Sequence, residues 1–168
     1  MSTFRPMRRS AQLLTNAEAE EILMSATSGV LSVLGDGGYP YGVPLSYVYN
    51  EGKIYFHCAK SGHKLDAVKE CDKASFCVIA QDEIIPEKYT TAFRSVIAFG
   101  RIREITDDSE MRRAIELLAR RYNPAGSEED LNTEIDREYD RLCMLKLTVE
   151  HLTGKEAIEI VREKRRNN

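Results

Sequence analysis

The chain has 168 residues, 42% hydrophobic and 30% charged, with a net charge of -3 at pH 7. That size fits one globular domain, which hides roughly 70% of its unfolded surface and needs no disulfide or structural metal to do so. No apolar run approaches the roughly 20 residues that span a bilayer, the opening MSTFRPMRRS has no secretory core, and a pI near 5.7 removes the positive field of a nucleic-acid binder. A cytoplasmic chain with neither membrane nor nucleic-acid partners is expected.

Thr15-Asn16-Ala17-Glu18 is a capping box, so a helix is expected to begin there and to end near Thr27-Ser28-Gly29. Val30 to Leu34 then reads as a strand closed by the turn Gly35-Asp36-Gly37-Gly38. Tyr41 to Tyr49 reads as a second strand, with Val43, Leu45, Tyr47 and Tyr49 on one face and Pro44, Ser46 and Val48 on the other. Asn50-Glu51-Gly52 connects it to a third, Lys53 to Cys58.

A helix over 62–70 and a strand over 74–80 come next, and Asp82 to Glu87 reads as a loop because Pro86 interrupts the pattern. Thr90 to Ile105 is long for one strand, and Gly100 is a natural place for it to bend. Asp107 or Asp108 caps a helix whose Met111, Ile115, Leu118 and Tyr122 recur at helical spacing until Asn123-Pro124. The acidic stretch Ser127 to Glu138 keeps an apolar stripe at Leu131 and Ile135, the mark of a solvated helix rather than a tail. Cys143 to His151 is the last predicted strand, and Thr153-Gly154-Lys155-Glu156 reads as a second capping box.

The pattern predicts a single domain over 1–168, mainly β with peripheral helices, with an arm over 1–14 and a terminal helix over 153–168. Hairpin-length connections favour an antiparallel barrel of about six strands. A parallel doubly wound sheet would need helical crossovers between nearly all strands.

Cys58, Cys71, Cys77 and Cys143 form no C-x-x-C pair, so reduced, packed thiols are expected and no metal site is assigned. The segment Ile54-Tyr55-Phe56-His57-Cys58-Ala59-Lys60-Ser61-Gly62-His63-Lys64 carries more chemistry. A strand there runs through a short turn into a helix, offering free N–H groups, the Ser61 hydroxyl, a glycine and the bases His63 and Lys64. A phosphate suits that set. Position 57 holds histidine where a Walker A loop has its first glycine, so triphosphate hydrolysis is not expected. Read without further context, His57 is better taken as a hydrogen-bonded interior strand histidine, Tyr39, Tyr41, Tyr47 and Tyr49 as barrel wall or interface, and Lys155 to Arg166 as an amphipathic surface helix.

Together with Gly42-Val43-Pro44-Leu45-Ser46-Tyr47-Val48-Tyr49 and Phe93-Arg94-Ser95-Val96-Ile97-Ala98-Phe99-Gly100-Arg101, that segment resembles the flavin-binding split-barrel superfamily related to pyridoxamine 5'-phosphate oxidase. Met7-Arg8-Arg9, Gly38-Tyr39-Pro40 and Thr153-Gly154-Lys155-Glu156-Ala157-Ile158-Glu159 resemble the branch that includes the 5-nitroimidazole resistance proteins. The resemblance runs from about Arg5 to Val161. It implies an FMN-binding split β-barrel, a homodimer with one FMN at each end of the subunit interface.

By the same resemblance, Ser61, Gly62, His63 and Lys64 hold the phosphate, Pro44, Leu45 and Ser46 lie along the isoalloxazine ring, and His57, Cys58 and Ala59 pass under the ribityl chain. Arg94 and Ser95 match the arginine-glutamine pair of the oxidase strand, with serine in place of the glutamine. The oxidases read vitamin B6 with a C-terminal segment containing arginine and tryptophan, whereas this chain has no tryptophan. The expectation is therefore an FMN-dependent reductase of a small, nitroaromatic type of substrate, with His63 or His57 as proton donor. The alternatives are a flavin- or haem-binding protein without turnover, and pyridoxamine 5'-phosphate oxidation itself.

Overall fold

In a computed structural model that describes residues 4–167, the first capping box forms as its spacing predicts. The Thr15 hydroxyl accepts from the Glu18 N–H at 3.2 Å, and the Glu18 carboxylate accepts from the Thr15 N–H at 2.9 Å. Helix α1 (Asn16–Ser25) starts there. Residues 1–3 of the expected arm and residue 168 of the expected terminal helix lie outside the described residues.

Seven strands follow, one more than the sequence pattern gives: β1 (Ser28–Leu34), β2 (Pro40–Ser46), β3 (Val48–Asn50), β4 (Lys53–Ala59), β5 (Lys73–Ile85), β6 (Thr90–Glu104) and β7 (Leu142–Glu156). Helix α2 (His63–Glu70) links β4 to β5, α3 (Asp108–Tyr122) and α4 (Glu128–Glu138) link β6 to β7, and α5 (Ile158–Asn167) ends the chain. One sheet has the order β2-β1-β5-β6-β7-β4-β3, with every neighbouring pair antiparallel.

That order dictates the shape. Only Tyr47 separates β2 from β3 along the chain, yet they occupy opposite ends of the sheet. The sheet must therefore curl until its two edges nearly meet, leaving a barrel split along one seam. Helix α2 packs against the barrel interior, where Leu65, Ala67 and Val68 join the cluster of Leu31, Val33, Ile54, Phe56, Phe76, Val96 and Leu145.

Tyr41 to Tyr49 is consequently two strands rather than the one predicted. The break is at Tyr47, whose ring is buried edge-on against Phe76 at 4.8 Å and whose hydroxyl donates to the Leu23 carbonyl at 2.8 Å. Strand β5 also runs through Asp82 to Ile85, where a loop is predicted, because these residues pair with Thr90–Phe93 in a hairpin that projects beyond the barrel. Asp82, Glu83 and Ile84 are all exposed and only Ala92 on the partner strand is buried, so the alternation signal is lost along this part of β5.

The second predicted capping box does not form. Thr153, Gly154, Lys155 and Glu156 pair in register with Ile97, Val96, Ser95 and Arg94, so β7 continues to Glu156 and α5 begins at Ile158 rather than at 153. Long-range pairing outweighs the local signal. Gly100 sits at a register shift between β6 and β7, with Glu150 of β7 as the extra unpaired residue, and a Cβ there would lie 1.9 Å from the Thr148 carbonyl oxygen. Outside the barrel, α3 and α4 bury Ile115, Leu118 and Ile135 against Tyr55, Ile105 and Met144, forming a second apolar layer.

Candidate functional site

Strand β3 pairs only with Lys53–Tyr55 of β4, so Phe56–Ala59 leave one edge without a strand partner at the seam. The facing lip is β2, the last strand of the order, whose outer edge is likewise without a strand partner. Pro44 and Ser46 are exposed on that lip and Leu45 turns half inward. On the opposite lip, His57 and Ala59 point outward and Cys58 points into the core, following the two-residue period of a strand.

The turn Lys60-Ser61-Gly62 carries β4 into α2. Gly62 adopts φ 129° and ψ 163°, a region open almost only to glycine, and no atom lies within 4 Å of where its Cβ would be. Access from solvent is unobstructed. The Leu65 and Asp66 N–H groups both donate to the Gly62 carbonyl, and among the described residues the His63 and Lys64 N–H groups find no acceptor. They remain aimed out of the helix N-terminus, where an anion is favoured.

His63 lies flat on Tyr41, with ring centroids 4.2 Å apart and planes at 15°, and its Nε2 is 3.6 Å from an Asp36 oxygen. These contacts tie α2 to the β1–β2 turn. Among the described residues Lys60 and Lys64 have no carboxylate partner, so the turn holds two uncompensated cations.

His57 sits 6.1 Å from Tyr122, ring edge to ring face at 84°. Burial, helped by the charge of Lys64, holds its imidazole below the ordinary histidine pKa. The shift favours the neutral imidazole, which accepts a proton at one ring nitrogen and donates from the other. Burial pushes the Cys58 thiol upward, as it does that of Cys143, its cross-strand neighbour, so neither offers a thiolate near pH 7. No group of three metal-ligating side chains occurs among the described residues.

Arg94 and Ser95 do not join this constellation within one chain. Ser95 pairs with Ile79, level with the far end of β2, whereas the turn packs near its start at Tyr41. Three strand spacings, roughly 14 Å, and five residues along β2, roughly 17 Å, lie between them. Arg94 is already engaged: its Nε donates to the buried Glu156 carboxylate at 3.1 Å, which also accepts from Lys164 at 3.0 Å.

The sequence profile of the pyridoxamine 5'-phosphate oxidase family matches residues 15–156, most of the chain. The chain belongs to the pyridoxamine 5'-phosphate oxidase family.

Solved structures share the split-barrel fold of this family member at low identity. A Bacteroides thetaiotaomicron protein provisionally assigned to 5-nitroimidazole antibiotic resistance is 19% identical over 86% of each chain, with a TM-score of 0.69. The conserved hypothetical protein Rv2991 of Mycobacterium tuberculosis is 15% identical over 90% of each chain, with a TM-score of 0.76. An FAD- and haem-binding protein of Mycobacterium smegmatis is 17% identical, covering 88% of this chain and 74% of its own, with a TM-score of 0.69. A search of curated proteins returned no match.

Sequence reasoning overlooked three neighbours of the site in this oxidase-family chain: Tyr41 and Asp36 beside His63, and Tyr122 beside His57. Tyr122 occurs in the sequence as the last member of a helical stripe, and nothing local links it to a strand 65 positions earlier. The ion-pair role of Lys164 was also hidden, because alternating charges on a terminal helix read as a solvated face. Among the described residues no helix is long and apolar enough to cross a membrane.

Proposed function

We propose that this chain is a flavin-dependent oxidoreductase that binds the flavin phosphate at Ser61-Gly62-His63-Lys64 and reduces small aromatic substrates of the nitroaromatic class. The observation that carries this reading is the open turn at Gly62, with two free N–H groups and a lysine that lacks a carboxylate partner. Such a cradle suits a terminal phosphate and is otherwise left as unpaired charge. FMN is the smallest flavin that satisfies it.

The bound flavin would supply the electron transfer. Lys64 would hold the phosphate through a charge-assisted bond, and Tyr41 would keep His63 and the start of α2 in place. The outer edge of β2 at Pro44, Leu45 and Ser46 would offer backbone N–H and carbonyl groups to the ring's polar edge. His63, with Asp36 beside it, is better placed than His57 to exchange a proton with a substrate on the open side.

A homodimer is part of the proposal. The outer face of β2, β1, β5 and β6 carries Pro44, Val30, Cys77, Ile97 and Ile79 across the sheet, with Val30 37% and Ile79 66% exposed. A second copy would cover this apolar strip. Ser95, which lies on the same face, would then reach a flavin held by the partner's turn.

Purified protein is expected to be yellow, or to take up added FMN, and to elute as a dimer. Reduced protein is expected to pass electrons to a 5-nitroimidazole in a steady-state assay. Colourless protein that also fails to bind FMN sinks the proposal, whereas bound flavin that reduces no nitro compound leaves a carrier.

A further inference from the structure

Beside the phosphate turn lies a cleft that the reading above does not use. Its volume is about 230 Å³, and its walls are His57 of β4, Leu118 and Tyr122 of α3, Ile135 of α4 and Met144 of β7. It opens into a second cleft of about 340 Å³ that shares Tyr122 and continues between α3 and α4 toward Leu131. His57 and Ala59 point to the same outer face, roughly 7 Å apart, and the turn follows Ala59 directly. One wall of the cleft, His57, thus stands on the strand that leads into the turn.

Three features describe what fits. At about 230 Å³ the nearer cleft is smaller than the roughly 300–1,000 Å³ of pockets that hold whole ligands, and suits a single flat base. His57 and Tyr122 set two aromatic surfaces at 84° to one another, and Tyr122 is 52% exposed, so its ring is available for stacking. The carboxylates of Glu134 and Glu138 line the same cleft; each accepts from Arg137 through one oxygen, which leaves the other oxygen of each to accept a hydrogen bond from an exocyclic amine. Lys60 in the turn is exposed, lacks a carboxylate partner, and is left over when one phosphate occupies Lys64.

We infer that the cleft between His57 and Tyr122 receives the adenosine half of a dinucleotide flavin, with its diphosphate spanning Lys64 and Lys60. This rests on the flavin-phosphate reading of the turn and extends it: the preferred cofactor is FAD, and Tyr122 and His57 select it over FMN.

The test is a pair of titrations, FAD and FMN, on the full-length chain freed of any flavin it carries, followed by flavin fluorescence and calorimetry. Wild type is expected to bind FAD at least tenfold more tightly than FMN. In Tyr122→Ala, FAD affinity is expected to fall roughly tenfold or more, the loss typical of one stacked base, while FMN affinity stays unchanged. Tyr122→Phe is expected to retain the FAD preference. Equal affinities in wild type, or an equal loss of both in Tyr122→Ala, overturns the adenosine site and leaves the phosphate turn standing. Failure of both flavins to bind wild type overturns the phosphate turn and this inference together.

Discussion

The imidazole of His63 is stacked on the phenol ring of Tyr41 at 4.2 Å, joining the first residue of α2 to the edge strand on the other side of the barrel seam. The relationship fixes the direction in which α2 presents its N-terminus. Without it, the turn at Ser61 and Gly62 has no side-chain cap and packs against nothing at Gly62.

Tyr41→Ala is therefore expected to loosen the turn without unfolding the barrel. An aromatic pair contributes about 0.5–1.5 kcal/mol beyond its area, so FMN affinity should fall roughly threefold to tenfold, while Tyr41→Phe retains it. Flavin titration of the two variants checks this. Equal affinity in Tyr41→Ala and wild type shows that α2 is held by its buried leucine face alone.

Acid sensitivity is expected at the α1 end of the barrel. The Glu18 carboxyl is pulled from 4.5 to about 2, first by the hydrogen bond from Lys164 and then by the Thr15 N–H. Its folded-state pKa is depressed, so the stabilisation is complete above about pH 4.5 and is lost as pH falls toward 2. The side chain is 38% exposed, so after solvent screening the contribution is under about 1 kcal/mol. In thermal melts, Glu18→Gln should be less stable than wild type at pH 6, and the gap should close by pH 2. A gap that is constant across this range rules out the carboxylate as its source.

The two capping-box patterns show what was legible in the chain and what was not. Thr15 and Glu18 form one because their partners lie three residues apart and nothing else competes for that backbone. Thr153 and Glu156 repeat the pattern, but β6 lies beside them and its ladder takes their backbone groups, while Arg94 and Lys164 take the Glu156 carboxylate. Local chemistry also exposes the turn at Gly62, since its glycine, hydroxyl and cations are contiguous. The partners of His57 and His63 are long-range: Tyr122 and Tyr41 are 65 and 22 positions away, and the seam that brings Tyr41 close exists only once the sheet has curled. Resemblance placed Arg94 and Ser95 among the flavin contacts of a site at a subunit interface, and within one chain the sheet keeps them away from the turn.

Two glycines are expected to respond differently to alanine. At Gly62 there is room for a methyl group, but φ 129° is strained for any other residue, at about 1–3 kcal/mol. Gly62→Ala should fold with a melting temperature lower by roughly 3–10 °C, and should bind flavin less tightly. At Gly100 the backbone angle is permissive, but the added carbon would meet the Thr148 carbonyl at 1.9 Å, so β6 and β7 must part. Gly100→Ala should therefore be the more destabilised of the two, as judged by urea midpoints. The reverse order shows that the bulge can relax.

Lys64→Ala tests the centre of the functional reading. The lysine is half-buried at the start of α2, without a carboxylate partner, and its charge depresses the basicity of His57. Removing it should do two separable things. Flavin affinity should weaken by about 1.5–3 kcal/mol, the range for a hydrogen bond to a charged group, which is roughly tenfold to 150-fold in Kd. The His57 pKa should also rise toward the ordinary value, because one of the two causes holding it down is gone, and proton NMR of the flavin-free protein reads that directly. A rise at His57 with unchanged flavin affinity places Lys64 near the histidine but the phosphate elsewhere. Loss of affinity without a change at His57 keeps the phosphate at the turn and shows that burial alone accounts for the neutral imidazole.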